Sequence, residues 1–181
     1  QGFMAYQPAY PNSLFAKPLL NQLIAIFQRD QLAVLQIVNP SLSPIIEFHK
    51  GPGARTAFPW LTLAADSVVF DRQAGGSRAS EARVTLTLEV GQFDQEMAQD
   101  NAQDYARTLD ILVTSASLSD FVTPLPIAHE TVSAGITTPS AFGAVRDVFV
   151  EAHRYSVVTL PEIDVPVLRV TVTVLVDLEE T

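Results

Sequence analysis

A chain of 181 residues is long enough for one domain with a sizeable core, and the absence of cysteine excludes disulfides, thiol nucleophiles and cysteine-held metals. Its 20 acidic against 11 basic residues, a formal net charge of −9, exclude a surface built to grip nucleic acid, because that grip needs clustered cations and no cluster is present. With 48% hydrophobic but only 17% charged residues, where roughly a quarter charged is usual, part of the uncharged surface is expected to meet a partner.

No apolar run reaches the ~18 residues that span a bilayer. The N-terminus has no basic region followed by an apolar one, so we read no signal peptide and expect a soluble protein made in the cytoplasm. Gln1-Gly2-Phe3 ahead of Met4 has the form of a cleaved-tag remnant. Residues 6–12 hold two prolines and two tyrosines without periodicity, so 1–13 are assigned to that remnant and an extended arm, and 14–181 to a single domain.

Pro18 suits the first turn of a helix whose face carries Leu20, Leu23, Ile24 and Phe27. Leu32, Leu35 and Val38 continue the pattern to Asn39-Pro40, where proline stops a helix. Arg29-Asp30 marks a possible break, so one bent helix or two short ones are expected. Residues 45–49 read as a short strand, Gly51-Pro52-Gly53 as a turn, and 60–72 as a strand or a strand with a bulge. Residues 73–80, with Gly75-Gly76, form the loop of a hairpin.

Residues 82–116 organise the chain. Ala82, Val84, Leu86, Leu88 and Val90 alternate with Arg83, Thr85, Thr87 and Glu89, the period of a sheet with one wet face. Gly91 ends the strand, and Asp94 stands where a helix N-cap belongs. Ala98, Ala102, Tyr105, Ala106, Leu109, Leu112, Val113 and Ala116 then make one apolar stripe on a helix expected to lie on the sheet.

Between 117 and 142 the pattern fails, and a stretch of ~25 residues without clear structure is often a contact segment. Residues 145–160 read as a strand whose alternation slips between Val150 and Tyr155, as at a bulge. From Leu168 to Leu178 the alternation is again complete. The fold class is therefore α+β: a single antiparallel or mixed sheet of about four to six strands, with the long helix and the N-terminal helix on one face.

The order of these elements resembles the tail terminator family of long-tailed bacteriophages and prophages, also called tail completion or head-to-tail joining proteins. The resemblance runs over about 14–178 and rests on the amphipathic first helix, Pro59-Trp60-Leu61-Thr62-Leu63, the glycine-rich loop, the strand at 83–90, the Asp/Ala-rich helix from Asp94 and the terminal pair of strands. The 117–142 segment is longer than the family pattern needs. The resemblance implies a non-enzymatic virion protein of the tail neck, assembled in the host cytoplasm. It implies a homo-hexameric ring that caps the tail tube, stops its polymerisation and meets the head connector, with DNA passing through an acidic lumen unbound. Gly75, Gly76, Phe121, Leu125 and Ile127 are the residues assigned to subunit or tube contacts. No cofactor, metal or membrane is implied. Another neck or tail tube component is the alternative within the class.

Other chemistries fit the sequence less well. His49, His129 and His153 lack metal-ligand spacing. His129 beside Glu130, and Glu151 near His153, invite acid–base readings, against which stand an exposed loop histidine and an outward strand residue. No serine sits in a Gly-x-Ser-x-Gly elbow, and neither glycine-rich stretch carries the Lys-Ser/Thr of a phosphate loop. Asp94, Asp100, Asp104 and Asp110 spread around the helix and read mostly as a solvated face, with one or two open to a neighbour's arginine. Trp60 reads as core rather than a stacking platform. A small-ligand binding module or an α+β enzyme stays open; a deep pocket joining His129, His153 and a carboxylate would favour it, and a projecting arm or hairpin with an apolar tip would favour assembly.

Overall fold

In the computed structural model the described residues are 13–51, 57–70, 78–91, 93–120, 129–133, 136–140, 143–161 and 164–180, with backbone only for 13–18, 78, 115–120, 129–133, 136–140, 143–144 and 179–180. The first apolar stripe forms one continuous helix, α1 (Ser13–Val38), which begins five residues before Pro18. Of the two expectations for Arg29-Asp30, two short helices do not form: Arg29 folds onto its neighbour Asp30 at 2.9 and 2.7 Å on the outer side, and the helix runs on. Asn39 N–H still reaches the Leu35 carbonyl at 2.9 Å, and Pro40 ends the helix. Leu19, Leu23, Ile26, Phe27 and Leu35 are buried. Leu32, expected among them, is 60% exposed because it lies half a turn from Leu23 around the axis.

The chain then crosses beneath α1. Gln31, a buried side chain of α1, accepts from Ile45 N–H at 2.8 Å and donates to the Ile45 carbonyl at 2.7 Å, standing in for a strand partner. This delivers β1 (Glu47–Lys50) to the edge of the sheet. There β1 lies parallel to β2 (Trp60–Phe70). β2 turns back into β3 (Arg78–Val90) as an antiparallel hairpin, with a bulge between Ala65 and Ser67 as one reading of the sequence required.

The second helix, α2 (Ala98–Asp120), starts at the first residue of the apolar stripe, four residues after the Asp94 expected to cap it. Asp94 caps the preceding turn, accepting from Glu96 N–H at 2.9 Å, and the Asp94 carbonyl takes Met97 N–H at 3.1 Å. The segment read as unpatterned is in part regular: α2 extends to Asp120, and β4 (His129–Ser133) pairs with β5 (Ile136–Ser140) as a separate two-stranded hairpin. Short Ser/Thr-rich strands that pair, among the described residues, with each other show too few apolar alternations to be read from the chain.

The closing strands are β6 (Gly143–Thr159) and β7 (Pro166–Glu180), antiparallel, with register shifts in β6 between Val145 and Asp147 and between Val150 and Ala152. The second shift is the bulge that the slipped alternation indicated. The sheet order is β1-β2-β3-β7-β6. Register places Leu63, Leu86 and Val172 in one row, and Val84 opposite Val174, on the face that both helices cover. α2 lies on β6 and β7 and against α1, and α1 reaches over β2. The fold is α+β with a mixed five-stranded sheet and both helices on one side.

Candidate interaction surface

Because side chains alternate along a strand, the residues between the core positions form a second sheet face that neither helix covers. It begins, at the N-terminal end of β7, with the row Trp60, Glu89, Arg169 and Ser156. Trp60 is buried, as expected, but it belongs to this face and not to the core under the helices. Its ring stacks on His49 with centroids 3.7 Å apart and planes 7° from parallel, and its indole N–H donates to Thr62 Oγ1 at 3.0 Å. His49 in turn meets Glu47 at 2.9 Å. Glu89 is 1% exposed and receives Arg169 Nη2 at 3.4 Å, while Arg169 Nε is buried without a hydrogen bond.

Towards the other end the face changes character. Asp66, in the β2 bulge, accepts from Thr85 Oγ1. The β6 bulge at Val150 and Ala152 turns Glu151 towards Arg83, which donates to it at 2.5 and 3.3 Å. Both partners are two-fifths exposed, so the pair contributes at most ~1 kcal/mol. Next to it Leu175 lies between Arg83 and Phe149, and one row further Glu81, Asp177 and Asp147 stand directly opposite one another. Phe149 is 50% exposed.

His153 corrects its sequence reading. It lies on the helix side, opposite Val172, where Nε2 meets Asp110 Oδ2 of α2 at 3.1 Å and Nδ1 faces the Tyr155 hydroxyl at 3.4 Å. With Nε2–H donating to Asp110 and Nδ1 accepting from Tyr155, both ring nitrogens are occupied by the protein itself, and the group ties α2 to β6. Glu151, three-dimensionally apart from it, is the outward residue of the pair. His129 opens a strand rather than sitting in a loop.

The helix aspartates are also less solvated than the spacing indicated. Asp104 accepts from Asn39 Nδ2 at 2.9 Å, joining α2 to the end of α1, and Asp110 holds His153. Tyr105 beside them donates to the Ser43 carbonyl at 2.9 Å, and burial pushes its hydroxyl up to about 12.

The five residues assigned to contacts fall outside the described residues: Gly75 and Gly76 within 71–77, and Phe121, Leu125 and Ile127 within 121–128. Among the described residues no three His, Asp or Glu side chains are placed to hold a metal ion, and no helix is long and apolar enough to cross a membrane. The acidic row and the Glu89–Arg169 pair were missed by sequence reading. Each member sits at a plain polar position of a strand, and only register brings them together.

No family model matches the sequence, and no curated protein matches it. Among solved structures 27 chains match. One of them is a chain of "Virion of native gene transfer agent (GTA) particle", similar over 91% of this chain and 96% of that one, at 13% sequence identity and a TM-score of 0.47.

Proposed function

We propose that this chain is a non-enzymatic structural protein of a phage-like virion, and within that class a tail terminator. It forms a homo-hexameric ring in the neck region, caps the tail tube, ends its polymerisation and meets the head connector. The resemblance in element order supports this, and the fold has the helices, hairpin and terminal strand pair in the order the resemblance requires.

The observation that carries the reading is the open construction of the sheet. One face lies outside both helices, and among the described residues the outer edges of β1 and β6 have no strand partner. Unpaired edges on opposite sides of one subunit suit head-to-tail contacts, which close into a ring when the rotation between copies divides a full turn. The net charge of −9 suits a ring through which DNA slides without sticking.

The test is tube growth. Tail tube protein from the same particle is polymerised with and without this chain, and lengths are measured by electron microscopy. Capped tubes of bounded length, with a ring at one end, are expected; unchanged growth and bare ends would overturn the assignment.

A further inference from the structure

We propose that the uncovered sheet face docks, at its acidic end, a cationic protein segment that carries an apolar side chain. The inference does not rest on the ring reading, because it follows from register and exposure within a single subunit. β3, β7 and β6 place Glu81, Asp177 and Asp147 in one row. Neighbouring strands lie about 4.8 Å apart, so three carboxylates stand within roughly 10 Å. Like charges directly opposite each other oppose folding, and among the described residues they are offset only in part: Asp147 accepts from Val148 N–H at 2.8 Å. Arg83, one row away, is already taken by Glu151 at 2.5 Å. Even with Arg146 of the β6 bulge counted towards the row, its net charge is negative.

The next row reads Ser67, Arg83, Leu175 and Phe149, and its β7–β6 end is apolar: Phe149 is paired in register with Leu175 and half exposed. Val69, 61% exposed, lies apart at the β2 end of the acidic row. An aromatic ring and an aliphatic side chain beside carboxylates complement an apolar anchor flanked by lysine or arginine. Nucleic acid is the wrong partner, since its phosphates would face the acidic row. A second copy presenting the same patch would set acid against acid, and one meeting it head-to-tail would need a basic segment, which a chain of 20 acidic and 11 basic residues without a cation cluster does not offer. The occupant is therefore a basic segment of a different protein.

The probe is a fluorescein-labelled peptide of alternating lysine and leucine, with a glutamate–leucine peptide and oligolysine as controls. Anisotropy is read against the full chain, Phe149→Ser, and the double variant Glu81→Gln/Asp177→Asn, each checked for an unchanged melting transition. Lysine–leucine peptide is expected to bind the wild type, to lose about tenfold or more in affinity with either variant, and to exceed both controls. Equal binding to all three proteins would overturn the proposal, as would equal binding of oligolysine, which needs no apolar anchor. Self-association that Phe149→Ser abolishes, without peptide binding, would assign the face to a second copy and overturn it as well. Because monomers suffice for the assay, its failure is separate from any failure of ring formation.

Discussion

Replacing Gln31 by leucine removes the two hydrogen bonds that hold Ile45, at 2.7 and 2.8 Å, in a site where the glutamine is only 7% exposed. The Ile45 N–H and carbonyl then stay buried without partners, each at ~1–3 kcal/mol, while the added apolar burial of leucine returns part of that. A net loss of about 2–4 kcal/mol follows, or roughly 5–12 °C in melting temperature for a domain of this size. Gln31→Glu separates the bonds from the packing. A glutamate can still accept from Ile45 N–H, but only its protonated form can donate to the carbonyl, so its folded-state pKa is raised. A raised pKa means stability that is present below the ordinary carboxyl range of about 4 and lost as pH rises through the folded value. Urea unfolding at pH 4 and pH 7 reads both effects: Gln31→Glu should lie near wild type at the lower pH and well behind it at the higher. A Gln31→Leu loss under ~0.5 kcal/mol, the level of an ordinary surface change, would refute the claim that this side chain seats the edge strand.

Gly91→Ala should cost about 1–3 kcal/mol, because a Cβ there would stand 2.8 and 2.9 Å from the Phe58 ring; in a Phe58→Ala background, which keeps only the Phe58 Cβ at 3.3 Å, most of the cost should be gone, and an undiminished cost would place the strain elsewhere. Burial raises the Tyr105 hydroxyl from 10.0 to about 12, so its contribution is complete below pH 10 and is lost as pH climbs towards 12. That loss amounts to roughly 2 kcal/mol in wild type and should be missing in Tyr105→Phe, as alkaline unfolding curves of the two would reveal. Removing either member of the Asp110–His153 pair should destabilise the domain by up to ~1 kcal/mol, given partners about a third exposed. A double-mutant cycle with Asp110→Asn and His153→Gln that shows no coupling would contradict the tie between α2 and β6.

The strands were legible where one face is dry and the other wet. β3 and β7 sit at the centre of the sheet with the helices on one side, so each shows its full alternation in the chain itself. The same physics made the α2 stripe visible and the bulge in β6 detectable as a slip at Val150. What stayed hidden depends on partners far away in sequence. Trp60 looked like ordinary core, yet its place opposite Glu89 and against His49 comes from pairing with β3 and β1. Asp104 and Asp110 looked solvated, because no local pattern reveals that Asn39 and His153 will arrive beside them. Leu32 was placed on the buried stripe by apolarity alone, although its angle around α1 turns it outward. The five contact residues stand out in the chain only by irregularity, which carries no geometry, and all of them lie in segments outside the described residues.

The most direct measurement of the central claim is the solution mass across a range of protein concentrations, with negative-stain images of the same samples and of samples mixed with purified tails. The account predicts a hexamer of ring-shaped particles, formed in free solution or on the tube end. A strict monomer at every concentration that also leaves tail ends bare would contradict it.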